Sequence, residues 1–208
     1  MPCRRSLASV QGGARAGGVA GILLAAGEGS RIGRPKALVE IGGQPLVDRG
    51  VALLRAGGAA PVIVVTGAAG VGLTGVITVP NPGWRSGMGS SLAAGLGVVP
   101  AGCDAVVVAL VDQPLVGAGS VRRLISARGA GAGAAVAAYG GRPRNPVMLG
   151  REHWAEVIAL AVGDAGARQF LRAHPDLVTV VECGDTGRPD DIDTPADLER
   201  IAAELPPG

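Results

Sequence analysis

The stretch LLAAGEGSRIGRPKAL, residues 23–38, places three glycines, two arginines and a lysine directly behind a run of apolar residues. A short apolar run bounded by glycine is typical of a buried strand, and open α/β sheets bind ligands where such strands end. Glycines can adopt positive φ and let backbone N–H groups approach an anion, while arginine and lysine add charge for phosphate oxygens. The stretch therefore predicts a phosphate-binding loop, although glycines and charges alone are equally compatible with a solvated turn.

The spacing of this loop excludes the two common nucleotide motifs. Its glycines, Gly27, Gly29 and Gly33, read GxGxxxG, whereas the dinucleotide-binding motif is GxGxxG. Lys36 stands three residues after Gly33, whereas a Walker loop has its lysine directly after the last glycine. The loop alone does not identify its ligand.

Strand and helix patterns alternate along the rest of the chain. Short runs rich in alanine or β-branched residues predict strands over residues 19–25, 61–66, 75–79, 105–111, 134–138 and 177–182. Helical spacing predicts helices over residues 46–56, 90–97, 120–128, 153–160, 166–173 and 195–204, with Ser120 and Thr194 as N-caps. The alternation predicts the α/β class: a three-layer sandwich in which helices cover both faces of a mostly parallel, twisted, Rossmann-like sheet.

Composition restricts the remaining possibilities. The chain has 208 residues, 48% hydrophobic and only 2% aromatic, which suits one globular domain with an aliphatic core. We place this domain at residues 19–204, behind a disordered tail over residues 1–18. A net charge of +2 gives no reason to expect a nucleic acid or membrane partner, and no apolar stretch is long enough to span a bilayer. Three widely spaced cysteines favour a reducing compartment, the cytoplasm.

The exact string of the loop carries more information than its glycines. LAAG-x-G-x-R-x-G-x-P-K, residues 24–36, resembles the signature of the MobA-like nucleotidyltransferases, which join a nucleoside triphosphate to a phosphorylated acceptor and release pyrophosphate. Later segments resemble successive motifs of the molybdenum cofactor cytidylyltransferase branch: NPGWRSGMGSSLAAGL (81–96), VALVDQP (108–114), GRPRNPVML (141–149), GDAGARQFL (163–171) and DIDTPADL (191–198). The resemblance extends from about residue 19 to residue 204 and implies the nucleotide-diphosphosugar transferase fold.

The resemblance implies roles for particular residues. Lys36 would contact the α-phosphate and Arg31 the β- and γ-phosphates, and Asp112 completes the catalytic set. The implied nucleotide-binding residues are Leu24, Ala25, Ala26, Gly27, Gly29, Arg31, Lys36, Gly89, Ser90 and Ser91. Family cytidylyltransferases typically carry LAAG and guanylyltransferases LAGG, so Ala26 favours CTP over GTP. His153 and His174 are expected to be surface or capping residues.

The same resemblance implies a metal and an acceptor. Asp112 and Asp193 would bind Mg²⁺, a cation that prefers carboxylates and keeps several waters. Asn145 replaces the histidine of the related GHPVL motif, and together with Arg168 it is a candidate for binding the acceptor, a molybdopterin-type phosphorylated compound. The implied reaction transfers CMP from CTP to molybdopterin carrying molybdenum; the product could pass to a molybdoenzyme or its chaperone. A guanylyltransferase, a transferase with another acceptor and a non-catalytic cofactor chaperone remain alternatives.

Overall fold

A computed structural model describes residues 17–205, so the predicted disordered tail lies outside the described residues up to residue 16. The strands are β1 (Gly18–Ala25), β2 (Glu40–Ile41), β3 (Gln44–Pro45), β4 (Val62–Thr66), β5 (Ile77–Pro80), β6 (Cys103–Leu110), β7 (Ala134–Tyr139), β8 (Arg142–Gly150) and β9 (Val178–Glu182). The helices are α1 (Leu46–Ala56), α2 (Met88–Leu96), α3 (Ala118–Gly129), α4 (Trp154–Leu160), α5 (Arg168–Ala173) and α6 (Pro195–Glu204). None of these helices has the length and apolar character needed to cross a bilayer.

Seven strands form one sheet in the order β5-β4-β1-β6-β8-β7-β9. All neighbours are parallel except at β8, which runs antiparallel to both β6 and β7. The mostly parallel sheet of the sequence prediction is confirmed. Strand β8 was missed because Pro143, Pro146 and two arginines interrupt its pattern, and β2 and β3 were missed because each has only two residues.

Helices cover both faces of the sheet, as predicted. One apolar layer joins β1 to α1, α3 and α6, and the other joins it to α2, α4 and α5. Successive residues of β1 alternate between the two layers, so Leu23 and Ala25 face the first and Ile22 and Leu24 face the second. The layer containing Leu24 is the one beside which the candidate site opens.

The helix starts test the capping predictions. Thr194 is the N-cap of α6 in a reciprocal capping box with Asp197, as predicted. The prediction for Ser120 is wrong: α3 begins at Ala118 after Gly117, and the Ser120 hydroxyl donates to the Gly117 carbonyl at 2.8 Å from inside the first turn. Hydroxyl groups form such bonds within helices as well as at their ends, so the residue type alone did not fix the boundary.

The two histidines lie beside the same buried ring. His153 is the N-cap residue of α4, without a side-chain capping bond, and its ring centroid lies 5.3 Å from that of Phe170. The His174 ring lies 4.8 Å from Phe170, and its Nε2 is 2.7 Å from Glu156 Oε1. Both histidines are partly buried and lie at capping positions, His153 before α4 and His174 before the 3-10 turn Pro175–Leu177, although neither side chain forms a capping hydrogen bond.

Candidate active site

The glycine loop follows β1 and leads into a short turn of 3-10 helix, Lys36–Leu38. Gly29 and Gly33 have φ of 65° and 81°, whereas Gly27 is not among the glycines with positive φ, contrary to expectation. A side chain at residue 29 would also overlap the Arg34 carbonyl group. Glycine is therefore required at residue 29 both for its φ and for the close approach of the backbone.

The loop leaves backbone donors available at its tip. The N–H groups of Ile32 and Gly33 donate to the Gly29 carbonyl at 2.9 Å, which closes the turn. The N–H groups of Gly29, Ser30 and Arg31 have no protein acceptor within residues 17–205. Such successive free N–H groups form a concavity suited to an anion such as phosphate.

The Lys36 ammonium lies between two of the predicted carboxylates. Its Nζ is 2.7 Å from Asp112 Oδ2 and 2.7 Å from Asp193 Oδ1. The side chains of Lys36 and Asp112 are 15% and 20% exposed, and that of Asp193 is 49% exposed. Three residues that are far apart in the sequence thus meet at the carboxyl ends of β1 and β6, where α/β sheets bind ligands.

Backbone contacts hold the second carboxylate in place. The N–H group of Ile192, whose side chain is fully buried, donates to the Asp112 carbonyl at 2.9 Å. The buried Gln113 side chain donates to Asp191 Oδ1 at 2.9 Å. Asp193 follows directly, next to the capping box of α6, so its position is fixed from both sides.

These charges perturb one another. Burial lowers the pKa of the Lys36 ammonium, but the carboxylates of Asp112 and Asp193 outweigh it and leave the pKa above its ordinary value. Burial raises the pKa of the Asp191 carboxyl; the Gln113 hydrogen bond opposes this, and the nearby charges of Asp112 and Asp193 add to it. Lys36 therefore stays charged, and a third carboxyl group adjoins the predicted pair.

A cavity of about 470 Å³ opens beside Lys36, and we call it the central cavity. Six predicted residues line it: Leu24, Ala26, Gly27, Lys36, Ser91 and Asp112. A nucleotide is of the size that cavities of a few hundred Å³ hold. The structure therefore brings Lys36, Asp112 and Ser91, the last from the predicted base-binding segment, together around one space.

Other predicted residues are near the central cavity but not on its wall. Ala25 faces the opposite layer, and Gly89 packs so closely against the Ala161 carbonyl that a side chain would not fit. The Ser90 hydroxyl accepts from Asn81 Nδ2 at 2.9 Å, which fixes the loop before α2. Arg31 is exposed on the glycine loop and lines none of the cavities described here.

Several residues on the cavity wall were not predicted from the sequence: Glu28, Trp84, Arg85, Met88 and Asp164. The Asp164 carboxylate accepts from the Met88 N–H group at 3.3 Å at the start of α2. The Arg85 guanidinium lies over the Trp84 ring, 4.4 Å from its centroid. One signal was available in the sequence, because Trp84 is one of only two tryptophans in the chain and lies in a motif already singled out.

The two acceptor candidates lie together in a different cavity of about 650 Å³, which we call the arginine cavity. Its wall contains Asn145, Arg168, Arg144 and Arg172 beside apolar residues of β7, β8 and β9. None of the three arginines forms an ion pair with another residue of the described chain. This wall is suited to an anionic ligand with an apolar part.

The carboxylates near Lys36 could hold a divalent cation only if oxygens of the substrate completed its coordination shell. Within residues 17–205, no cluster of three or more His, Cys, Asp or Glu side chains is arranged to hold a metal ion. Asp112 and Asp193 do, however, face one point from two sides, where the ammonium of Lys36 already stands. Magnesium is commonly bound by one or two carboxylates, with phosphates and water completing its shell, so these two side chains fit it.

The sheet topology, the glycine loop and the lysine between two carboxylates define the class: this is a nucleotidyltransferase fold, and its candidate site lies at the carboxyl ends of β1 and β6. Residues 21–178 match the family model described as MobA-like NTP transferase domain. The chain belongs to this family, as the loop motif implied, and is an enzyme of the nucleotidyltransferase class.

The individual relatives are named after different activities. The nicotine blue oxidoreductase of Paenarthrobacter nicotinovorans is 36% identical over 197 residues, covering 88% of this chain and 96% of the relative. The molybdenum cofactor guanylyltransferase of Rhodobacter capsulatus is 36% identical over 139 residues, 65% of each chain. Among solved structures, Rv0371c of Mycobacterium tuberculosis H37Rv in complex with manganese has a TM-score of 0.74 at 25% identity, covering 90% of this chain and 100% of the other.

Proposed function

We propose that the protein transfers CMP from CTP to a molybdopterin-type phosphorylated acceptor that carries molybdenum, forming molybdopterin cytosine dinucleotide and pyrophosphate. The position of Lys36 carries this proposal: its ammonium lies 2.7 Å from Asp112 and from Asp193 on the wall of the central cavity. This arrangement offers one cation for a reacting phosphate and two carboxylates for a metal. The Rhodobacter capsulatus relative supports an acceptor related to the molybdenum cofactor.

The chain's own residues would orient the triphosphate for attack. An oxygen of the acceptor phosphate forms a bond to the α-phosphorus while the bond from that phosphorus to the bridging β-oxygen breaks, and pyrophosphate departs with the electron pair. Lys36 would stabilise the charge on the α-phosphate, and Arg31 and the free N–H groups of the loop would hold the phosphates behind it. The acceptor phosphate is already ionised near neutral pH, so the reaction needs no strong general base.

A divalent cation, Mg²⁺ or Mn²⁺, would supply charge neutralisation between the phosphate oxygens when bound by Asp112 and Asp193. The manganese complex of Rv0371c supports a divalent metal. Because the Lys36 ammonium lies between the same carboxylates, it would have to lose its ion pair with at least one of them for a metal to bind there. Released from Asp112, the ammonium remains beside the central cavity, where the α-phosphate would lie.

The choice of CTP rests on Ala26. Its side chain lines the central cavity and is 7% exposed, and it lies directly beside Gly67, where a Cβ atom would come within 2.8 Å of the Ala26 methyl group. Because this wall is tightly packed, the Ala26 methyl group cannot easily shift to make room for a purine base. One methyl group discriminates by only about 10- to 200-fold, however, so GTP remains the alternative nucleotide.

We place the acceptor in the arginine cavity. The antiparallel register pairs Val108 of β6 with Val147 of β8, so Asn145 extends toward the same edge of the sheet as Asp112. The segment from Asp164 to Arg168 connects the two cavities, because Asp164 lines one and Arg168 the other. An anionic pterin could bind to the arginines while its phosphate points to the central cavity.

The name of the Paenarthrobacter relative supports a second candidate, an oxidoreductase, because that protein matches this chain over nearly its whole length. The loop offers phosphate-binding groups, which a nicotinamide dinucleotide also requires. Its GxGxxxG spacing nevertheless departs from the dinucleotide motif, and the paired carboxylates have no evident role in hydride transfer. We therefore favour the transferase.

One experiment tests these proposals together. Purified protein is incubated with Mg²⁺ or Mn²⁺, with each nucleoside triphosphate in turn and with molybdopterin carrying molybdenum, and pyrophosphate and the nucleotide product are measured. Acceptor-dependent pyrophosphate release from CTP supports the proposal, and release from GTP alone replaces it with the guanylyltransferase. A parallel incubation contains NADH or NADPH and a dye that accepts electrons: oxidation of the nicotinamide by the dye, without pyrophosphate release in the first incubation, would favour the oxidoreductase. Binding without turnover would favour a chaperone.

A further inference from the structure

A further cavity, of about 300 Å³, lies between α1 and the start of α3, and we call it the α1–α3 cavity. Leu110 and Val111, at the end of β6, line both this cavity and the central cavity. The next two residues differ, because Asp112 lines the central cavity and Gln113 lines the α1–α3 cavity. The two cavities therefore lie on opposite sides of one short backbone segment, residues 110–113.

Among the described residues, Arg49 supplies the only charge on the wall of the α1–α3 cavity. Its Nη2 donates to the Ile41 carbonyl at 2.8 Å, and its Nε is buried without an acceptor. It forms no ion pair with any residue between 17 and 205. A guanidinium with unused donors and an unmatched charge is suited to an anionic ligand.

The rest of the wall is mostly apolar. Leu46, Val111 and Val116 are buried there, whereas Ala52 and Ala56 of α1 are exposed at its mouth. A cavity of about 300 Å³ is at the lower end of the range for ligand sites, so it suits a small molecule better than a nucleotide. The wall therefore matches a small compound with one negative charge and an apolar part.

Gln113 connects this cavity to the candidate active site. Its side chain is 5% exposed, and its Nε2 donates to Asp191 Oδ1 at 2.9 Å. The preceding residue, Asp112, forms the ion pair with Lys36 on the other side of the segment. A ligand in the α1–α3 cavity would therefore lie directly behind the carboxylates of the central cavity.

We propose that the α1–α3 cavity binds a small organic monocarboxylate, and that the bound acid tightens metal binding at Asp112; the second part rests on the proposed function. The Arg49 guanidinium holds the carboxylate, and the apolar wall holds the organic part. One guanidinium matches one negative charge, whereas a phosphate dianion would bring a second, unmatched charge toward Asp112 and Asp191. The charge of the acid attracts a cation on the other side of the segment.

The first test uses benzoate, a planar carboxylate on an apolar ring, and NMR of the metal-free full chain. Benzoate should saturably shift the resonances of the Arg49 Nε–Hε group and the Gln113 side-chain amide. Benzamide has the same shape without the charge, and inorganic phosphate has charge without an apolar part, so neither should bind measurably.

Variants locate the binding. Arg49→Met should weaken benzoate binding by about 10- to 100-fold, since a hydrogen bond to a charged group has this order of effect. Arg49→Lys should recover part of that loss because it keeps the charge. Ala52→Leu should block benzoate by filling the cavity from an exposed helix position. Arg142→Ala is the matched control, because Arg142 is exposed and lines none of the cavities described here.

The second test is calorimetry of Mn²⁺ binding with and without saturating benzoate. Bound benzoate should tighten Mn²⁺ binding by about fivefold or more, the lower end of typical coupling between sites, and Mn²⁺ should tighten benzoate binding by the same factor. The Ala52→Leu variant should show no such change, which corrects for any complex of benzoate with Mn²⁺ in solution.

The outcomes separate this inference from the proposed function. The site is overturned if benzoate does not bind, if its binding survives Arg49→Met and Ala52→Leu, or if phosphate binds as tightly. Binding at the site without any change in Mn²⁺ affinity overturns the link to the metal. If the chain binds neither Mn²⁺ nor Mg²⁺, with or without CTP, the metal of the proposed function fails, whereas benzoate binding that depends on Arg49 still supports the site.

Discussion

The change Lys36→Met tests whether the Lys36 ammonium and a metal ion compete for the same two carboxylates. It removes the charge that lies 2.7 Å from Asp112 Oδ2 and 2.7 Å from Asp193 Oδ1, while it keeps most of the apolar length of the side chain. Two carboxylates then face each other, with the Asp191 carboxyl group nearby. We expect the metal-free variant to be less stable than the wild type and more dependent on a divalent cation.

The magnitude follows from burial. Lys36 and Asp112 are mostly buried, so their charge-assisted bond is worth about 1.5–3 kcal/mol. Asp193 is 49% exposed, so solvent reduces its share to less than about 1 kcal/mol. The sum, about 1.5–4 kcal/mol, corresponds to a fall in Tm of roughly 3–16 °C for a domain of this size.

Metal should reverse much of this loss. Without the ammonium, the carboxylates bind Mn²⁺ or Mg²⁺ without a competitor, and saturation at about 100 times Kd adds about 2.7 kcal/mol. Thermal melting with and without metal should therefore show a larger rise in Tm for Lys36→Met than for the wild type. Turnover should fall by about two or more orders of magnitude, because the charge beside the reacting phosphate is lost.

Two results would refute the reasoning. Equal metal-induced rises in Tm for variant and wild type would show that the ammonium does not compete with the metal. Turnover within about tenfold of the wild type would remove Lys36 from the reacting phosphate. Lys36→Arg is the control for charge alone, because it keeps the cation but changes its shape.

The other predictions concern the metal, the base, packing and a cap. Asp112→Asn should keep the fold, with a fall in Tm no larger than that of Lys36→Met, but lower turnover by about two or more orders of magnitude, and near-normal pyrophosphate release would exclude it as a metal ligand. Ala26→Gly should narrow the ratio of kcat/KM for CTP over GTP without reversing it; a wild type that prefers GTP would contradict this interpretation. Gly89→Ala should unfold well below the wild-type Tm because its methyl group would overlap the carbonyl of the residue after α4, whereas Gly129→Ala, where the methyl group meets nothing within 4 Å, should not. Thr194→Ala should cost about 0.5–2 kcal/mol in urea unfolding through loss of the capping box, and an unchanged midpoint would show that the cap contributes nothing.

The parallel part of the fold could be predicted from the sequence because its strands are continuous apolar runs buried on both faces. β4, for example, is buried at all five positions and ends directly before Gly67. Strand β8 could not be predicted in this way. Its first half, Arg142–Asn145, is largely exposed, and the register with β7 shifts between Val136 and Ala137, so no regular alternation exists in its sequence.

Residues of the candidate site could be predicted where the motif that contains them is itself enough to indicate their role. Lys36, Asp112 and Asp193 each lie in a recognisable sequence motif, and in the structure Lys36 Nζ is 2.7 Å from an oxygen of each carboxylate. Trp84 and Arg85 were missed because their role arises from tertiary placement: a bare glycine in another loop, Gly67, lets the indole pack beside the cavity. No spacing within one segment reveals such a contact.

The distribution of charge explains why the net charge of +2 says so little about the ligand. The carboxylates that line or adjoin the central cavity are those of Glu28, Asp112, Asp164, Asp191 and Asp193. Against them the central cavity has Lys36 and, at its border, Arg85, whereas the arginine cavity alone has three arginines. A polyanionic nucleotide would therefore meet repulsion at the reacting centre unless a metal enters with it, while its outer phosphates and its acceptor meet cations on either side. This arrangement predicts that triphosphate binding depends far more strongly on divalent metal than acceptor binding does, and calorimetry of each ligand with and without Mg²⁺ would measure the difference.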